Sequence, residues 1–164
     1  QWFLTSIYFG FASGVAPVFS YNHGCENHEQ LHRIFNISIR FVAISAVGVV
    51  LFALLACDML ISIFVFPSSE VFSITSSGFK LFATSFLFVG TNIFSSGMFT
   101  ALSNGKVSAI ISFLRTFVFL LLSMFLLPLV MEVNGIWLTV PVAELLTLGV
   151  SIFYFIRLRK VYHY

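Results

Sequence analysis

Charge is what this sequence has least of, since its 164 residues include only eight Lys and Arg and six Asp and Glu, or 9% charged residues in all. Soluble domains carry about 25% charged residues, which coat the surface that faces water. The net charge of +2 is small, and basic residues do not alternate with aromatic ones, so nucleic acid is not an expected partner. The composition therefore excludes an ordinary soluble domain.

Cysteine is also scarce, with Cys25 in a polar segment and Cys57 in an apolar one. This placement predicts no disulfide between them. The chain starts with Gln1 and an apolar stretch, without an initiator Met or the charged start and cleavage site of a secretory signal. We therefore expect it to be a piece of a longer protein.

Apolar residues dominate what is present, at 59% of the chain, with 22 Phe and a mean hydropathy of +1.04. A helix needs about 20 mostly apolar residues to cross a bilayer. Five stretches reach that length, which predicts an all-α polytopic membrane helix bundle of five transmembrane helices. Their approximate bounds are 1–20, 37–66, 72–102, 107–131 and 136–156.

Basic residues near the ends of these stretches are divided unequally between the two sides of the membrane. Only Lys80 lies near one side, and six lie near the other, in the first turn, the third turn and the tail. By the positive-inside rule, this division places the tail in the cytoplasm, and we expect a multi-pass protein of the plasma membrane. The six are Arg33, Arg40, Lys106, Arg157, Arg159 and Lys160.

Three ionisable residues lie inside the apolar stretches: Asp58, Arg115 and Glu144. Each costs about 2.5–3.5 kcal/mol to insert, so each is a candidate functional residue. Arg115 and Glu144 lie at similar depth, roughly 12 Å from opposite ends of neighbouring spans, which leads to the hypothesis that they pair. The pair can be structural or take part in transport, whereas Asp58 lies nearer the outer surface.

Polar and small residues of the third stretch recur with a helical period. At 100° per residue, they fall within an arc of about 80°. Such a face meets either another helix or an aqueous cavity, and both interpretations remain open. The residues are Ser85, Asn92, Ser96, Thr100 and Ser103.

The segment His28-Glu29-Gln30-Leu31-His32 is an H-E-x-x-H sequence, a spacing that lets two imidazoles bind zinc while the Glu acts as a base. Its context is poor, because Arg33 follows directly and no acidic third ligand stands nearby. A short amphipathic connector at the membrane surface is the simpler interpretation, and we expect no metal site.

Three parts of the chain together resemble the multidrug and toxic compound extrusion (MATE) family of secondary transporters. Their order and spacing are similar to those of the family over most of the chain. The parts are Gly14–Pro17 running into Ser20–Gly24 and Asn27, then Gly97–Lys106 joined to Ser112–Arg115, and finally Asn134–Trp137 followed by Pro141–Glu144.

The resemblance implies that the chain is the carboxyl-terminal lobe, the last five helices, of a twelve-helix transporter whose amino-terminal lobe is missing here. It further implies transport without enzymatic activity: export of cationic or amphipathic small molecules by alternating access, driven by sodium or protons, with no resident cofactor. On this basis we expect Asn92, Ser96 and Thr100 to border the cavity for substrate or ion. Arg115 and Glu144 then shape the closed interface.

Asn92 departs from the family pattern, because many members have an ion-binding carboxylate about there. An amide oxygen can ligate sodium, but an amide cannot carry a proton. If protons drive transport, the essential carboxylate is therefore Asp58, Glu144 or one in the missing lobe. The alternatives are a lipid-linked sugar flippase of the same superfamily, an intramembrane zinc metalloprotease that uses His28 and His32, and a purely structural bundle.

Overall fold

The computed structural model describes residues 2–164, in which all regular structure is helical, and the chain is an all-α membrane helix bundle. Gln1, where the first predicted span begins, lies outside the described residues. Seven α-helices and one π-helical segment follow one another. They are α1 (Trp2–Gly24), α2 (His28–Leu55), α3 (Cys57–Ser62), α4 (Glu70–Ala83), α5 (Phe86–Ala101), α6 (Gly105–Phe113), the π segment (Leu114–Phe119) and α7 (Leu120–Tyr162).

Three helical stretches are long and apolar enough to cross a membrane: α1, α2 and the continuous run Gly105–Tyr162. The last has 58 residues, which at 1.5 Å per residue is roughly 87 Å, nearly three times the hydrocarbon thickness of a bilayer. It therefore has to turn back. The reversal lies at Glu132, whose backbone is non-helical, with φ 49° and ψ −126°.

Gly135 lets the two halves of α7 approach closely after this reversal. A Cβ on Gly135 would lie 2.3 Å from the carbonyl oxygen of Leu127, so a larger residue does not fit there. The sequence predicted a reversal between the spans 107–131 and 136–156, and Glu132 lies in that interval. The glycine is needed for close packing rather than for a left-handed backbone.

The third apolar stretch is bent, whereas the sequence predicted one helix over 72–102. Helices α4 and α5 meet at an angle of 40° around Thr84 and together are long enough for one further crossing. At the break, the Thr84 Oγ1 donates to the Leu81 carbonyl at 2.7 Å and the Ser85 N–H donates to the Phe82 carbonyl at 3.0 Å. All five residues of the predicted polar face lie on the α5 side of this break, so the bend leaves the face intact.

Helix α5 lies at the centre of the bundle, in contact with α1, α2, α6 and α7. Ten of its sixteen residues are buried, so it has no broad face left for lipid. Gly90 admits the ring of Tyr8 from α1, since a Cβ there would lie 2.6 Å from that ring. Polar side chains on α5 consequently face other helices of the same chain.

Polar residues in the turns begin the helices as N-caps. The Asn27 side chain accepts from the Gln30 N–H before α2, and the Ser69 side chain accepts from the Phe72 N–H before α4. Asn104 does the same before α6. Caps of this kind satisfy donors that a helix leaves free at its start, which explains why the chain turns at these points.

The α1–α2 turn, the α5–α6 turn and the end of α7 meet at one end of the bundle. Asn104 Nδ2 donates to Tyr162 Oη at 3.0 Å, and the rings of His23 and Tyr162 lie 5.4 Å apart. Tyr164 is buried beside Phe155, and this burial raises the pKa of its phenol. The structure thus confirms that the first turn, the third turn and the tail share one side.

Candidate functional site

Glu144 and Asn92 are buried against each other where the second half of α7 packs on α5. Their exposed fractions are 5% and 0%, respectively. Asn92 Nδ2 donates to Glu144 Oε2 at 2.8 Å and to the Glu144 backbone oxygen at 2.9 Å. A buried carboxylate needs such donors, because its charge is otherwise unfavourable in a low dielectric.

Arg115 holds the other oxygen of the same carboxylate. Its Nε and Nη2 atoms each lie 2.8 Å from Glu144 Oε1. The Arg115 side chain is 20% exposed, so the pair lies at the boundary between the protein interior and an open space. The structure confirms that Arg115 and Glu144 pair, as their similar depth predicted, and leaves the role of the pair open.

Arg115 belongs to the π segment Leu114–Phe119, none of whose residues is buried. A π-helical turn is wider than an α-helical one and occurs most often at functional sites. It places Arg115 toward Glu144 while the helix continues on both sides. This irregularity was not predictable, because nothing in the hydrophobic period of the sequence marks a π turn.

Ser151 completes the group by donating from its Oγ to Asn92 Oδ1 at 3.0 Å. We call Arg115, Glu144, Asn92 and Ser151 the charge network; it links the π segment, α5 and α7. Sequence reasoning missed Ser151, although it lies seven residues after Glu144 and therefore on the same helical face. Each polar atom of the Asn92 side chain now has a partner within the bundle.

Four hydroxyl side chains form a second polar group between α5 and α6. Ser96 shares hydrogen bonds with Ser108 and Ser112, at 2.9 and 2.8 Å, and Thr100 Oγ1 donates to Ser108 Oγ at 2.7 Å. We call these four residues the hydroxyl cluster. Of its members, Ser96 and Thr100 were predicted as cavity residues, and Ser108 and Ser112 were not.

Two cavities flank Arg115. The first, of about 320 Å³, is lined by Glu144 and by aromatic side chains that include Trp2 and Phe9. The second, of about 340 Å³, is lined by Ser96, Thr100 and Ser112 among others, and by no acidic residue. Arg115, Thr116 and Phe9 border both. Within residues 2–164, Asn92 lines neither cavity and lies behind Glu144 instead.

Asp58, the third predicted intramembrane ionisable residue, lies apart from the charge network. It is exposed on the short helix α3 and accepts a hydrogen bond of 2.7 Å from Ser76 of α4. Among the residues that the structure describes, the Arg115–Glu144 pair is the one ion pair, so Asp58 has no basic partner there.

The H-E-x-x-H segment forms the first turn of α2, with its residues directed to separate partners. The His28 ring lies 4.6 Å from that of His163, and His32 Nε2 lies 2.9 Å from Asn36 Nδ2. Over residues 2–164, no three His, Cys, Asp or Glu side chains come together in a way that could hold a metal ion. The zinc metalloprotease alternative is therefore not favoured.

The chain matches the family model MatE over residues 1–128. The matched range covers well over half of the chain and includes Asn92, Arg115 and the hydroxyl cluster, whereas Glu144 and Ser151 follow it. Neither a curated protein nor a solved structure matches the chain.

Proposed function

The chain belongs to the MatE family, whose members are transporters rather than enzymes, and we propose that it forms the carboxyl-terminal lobe of an ion-coupled antiporter. The transporter exports cationic or amphipathic small molecules by alternating access, with sodium or protons as the coupling ion. It lies in the plasma membrane with its carboxyl terminus in the cytoplasm. An amino-terminal lobe of the same chain completes the cavity, and lipid surrounds both lobes.

The observation that carries this proposal is the buried Glu144 carboxylate, which borders a cavity and is neutralised by Arg115. A charged carboxylate inside a membrane protein is unfavourable without a partner, so a cation that takes the place of Arg115 is favoured there. Whatever separates Arg115 from Glu144 must therefore supply a proton or another cation. Ion binding and helix arrangement are linked at this one side chain.

Asn92 supports Glu144 as the coupling carboxylate of this lobe. Its amide cannot exchange a proton, and both of its polar atoms are engaged, with Glu144 and Ser151. The Asn92 amide thus holds Glu144 Oε2 in place while Oε1 faces Arg115 and the cavity. In our proposal, Asn92 orients Glu144, and the ion binds on the cavity side.

Substitution of Asn92 in the full-length transporter tests this role. Asn92→Ala removes the donors to Glu144, and since hydrogen bonds to charged groups contribute about 1.5–3 kcal/mol, we expect roughly a tenfold or greater loss of efflux. Asn92→Asp places two carboxylates at hydrogen-bond distance, where they share one proton. Efflux by this variant should therefore become strongly dependent on pH in proteoliposomes.

Asn36→Ala is the matched control, because Asn36 lies on α2 and contacts His32 rather than the charge network. It should transport like the unmodified protein. Unchanged efflux and unchanged ion dependence in both Asn92 variants would remove Asn92 from the coupling site.

A lipid-linked sugar flippase needs a larger and more cationic cavity, and no observation on residues 2–164 specifically supports one. Arg115 is the basic residue that borders the two cavities, and Glu144 neutralises it. We therefore retain the antiporter as the single proposal.

A further inference from the structure

Arg115 stands between two cavities of different chemistry. On one side, the first cavity offers the Glu144 carboxylate together with the aromatic rings of Trp2 and Phe9. On the other side, the second cavity offers hydroxyl oxygens from Ser112 and its neighbours in the hydroxyl cluster. The first suits a cation with an apolar body, and the second suits a group that donates hydrogen bonds.

In this structure, the Arg115 guanidinium is paired with the carboxylate that a cationic ligand would need. Both of its contacting nitrogens are on Glu144 Oε1, and Asn92 holds Oε2. A cation that enters the first cavity meets a pair with no net charge and gains little attraction from it. A ligand cation and Arg115 therefore compete for one negative charge.

The second cavity offers an alternative position for the Arg115 guanidinium when it separates from Glu144. It already borders the second cavity, where hydroxyl oxygens can accept its N–H groups without adding a second negative charge. Ser112 lies three residues earlier in the chain, on the adjacent turn. The long Arg115 side chain is itself 20% exposed, so it can change rotamer without leaving a buried position.

We propose that Arg115 is an internal competitor for the substrate site. Without substrate, its guanidinium neutralises Glu144; an organic cation entering the first cavity takes that carboxylate and moves Arg115 toward the hydroxyl cluster. The ligand class is a monovalent organic cation with an aromatic or apolar body, because Trp2 and Phe9 can contact both its charge and its surface. The cavity volume of about 320 Å³ matches small-molecule sites. This inference rests on the proposed transport function.

The test is binding of tetraphenylphosphonium, a permanent cation that carries no exchangeable proton, to the full-length transporter in proteoliposomes. Arg115→Gln removes the competing charge, so we expect the Kd to fall about tenfold, while Glu144→Gln should raise it at least about tenfold. In the double variant, no carboxylate remains to attract the probe and no arginine remains to repel it, so its Kd should lie between those of Arg115→Gln and Glu144→Gln.

A second readout separates competition from a merely structural role. Arg115→Lys keeps a positive charge with fewer donors, so its Kd should lie between those of the unmodified protein and Arg115→Gln. Ser112→Ala removes a hydroxyl that accepts the displaced guanidinium and should weaken binding about threefold. Ser45→Ala is the control, because Ser45 donates only to the Val42 carbonyl of its own helix.

The proposal would be overturned if Arg115→Gln binds the probe with unchanged affinity or as weakly as Glu144→Gln. If Arg115→Gln does not fold, unchanged binding by Arg115→Lys would overturn it. Failure of the underlying transport function looks different. In that case the unmodified full-length protein itself neither binds nor moves tetraphenylphosphonium.

Discussion

Glu144 and Asp58 are both carboxylates that the sequence places inside apolar stretches, yet the structure gives them opposite surroundings. Glu144 is 5% exposed and accepts hydrogen bonds on both oxygens, from Arg115 and Asn92. Asp58 is exposed and accepts one, from the Ser76 hydroxyl. The number of apolar neighbours in the chain is thus a poor guide to what surrounds a carboxylate.

The difference arises from where each helix packs. Glu144 lies where the π segment, α5 and the second half of α7 meet. These elements supply its hydrogen-bond donors and exclude water from its carboxylate. Asp58 lies on α3, a helix of six residues that contacts α2 and α4 at the edge of the bundle. Burial by several elements, rather than membrane depth, makes Glu144 the candidate for ion coupling.

Neutralising Glu144 is expected to have the largest effect. Glu144→Gln leaves the Arg115 charge uncompensated, and breaking a buried ion pair from one side costs about 3–5 kcal/mol, reduced here by the partial exposure of Arg115. Denaturant unfolding in detergent should show this loss. The double variant Arg115→Gln with Glu144→Gln should recover much of the lost unfolding free energy, because neither charge is left unpaired. A double variant less stable than either single variant would contradict a stabilising interaction between Arg115 and Glu144.

A smaller effect is expected from a packing change on α4, the helix that carries Ser76. A Cβ on Gly78 would lie 2.1 Å from the indole ring of Trp137, so Gly78→Ala forces α4 and α7 apart and should cost about 1–3 kcal/mol. Gly149→Ala is the matched control, because a Cβ there meets nothing within 4 Å and helix propensity favours Ala. Equal melting temperatures for the two variants would show that this contact contributes little.

Asp58→Asn should have the smallest effect of the three. The substitution keeps an oxygen that can accept from Ser76, so the loss should be less than about 1 kcal/mol. We expect stability within that range and efflux within about twofold of the unmodified protein. A loss of efflux as large as that of Glu144→Gln would move the coupling site to Asp58 and reverse the comparison.

Much of the helical organisation could be predicted from composition and turn chemistry. Ser69 and Asn104 follow the ends of apolar stretches and cap the helices that begin there. The pairing of Arg115 with Glu144 was predictable because a charged residue at that depth needs a partner. The break at Thr84 was not predictable, because Thr does not mark a turn by itself, whereas the reversal at Glu132 lies between the predicted spans 107–131 and 136–156.

The site was only partly predictable for a related reason. A helical period shows that Asn92, Ser96 and Thr100 share a face of α5, but not what that face meets. In the structure, Asn92 meets Glu144 and Ser151, whereas Ser96 and Thr100 meet α6 and a cavity. The polar face of α5 therefore contacts α7 at one part of its length and α6 at another.

The sequence by itself determined that this protein is a helical membrane bundle and predicted most of its basic residues on one side. It did so because the cost of placing charge and unpaired backbone in hydrocarbon leaves a direct mark on composition and on the length of apolar stretches. Only the tertiary structure decided which carboxylate is buried and that Arg115 lies between two cavities. Those properties depend on the angles and contacts between helices, which arise when side chains far apart in the chain pack together.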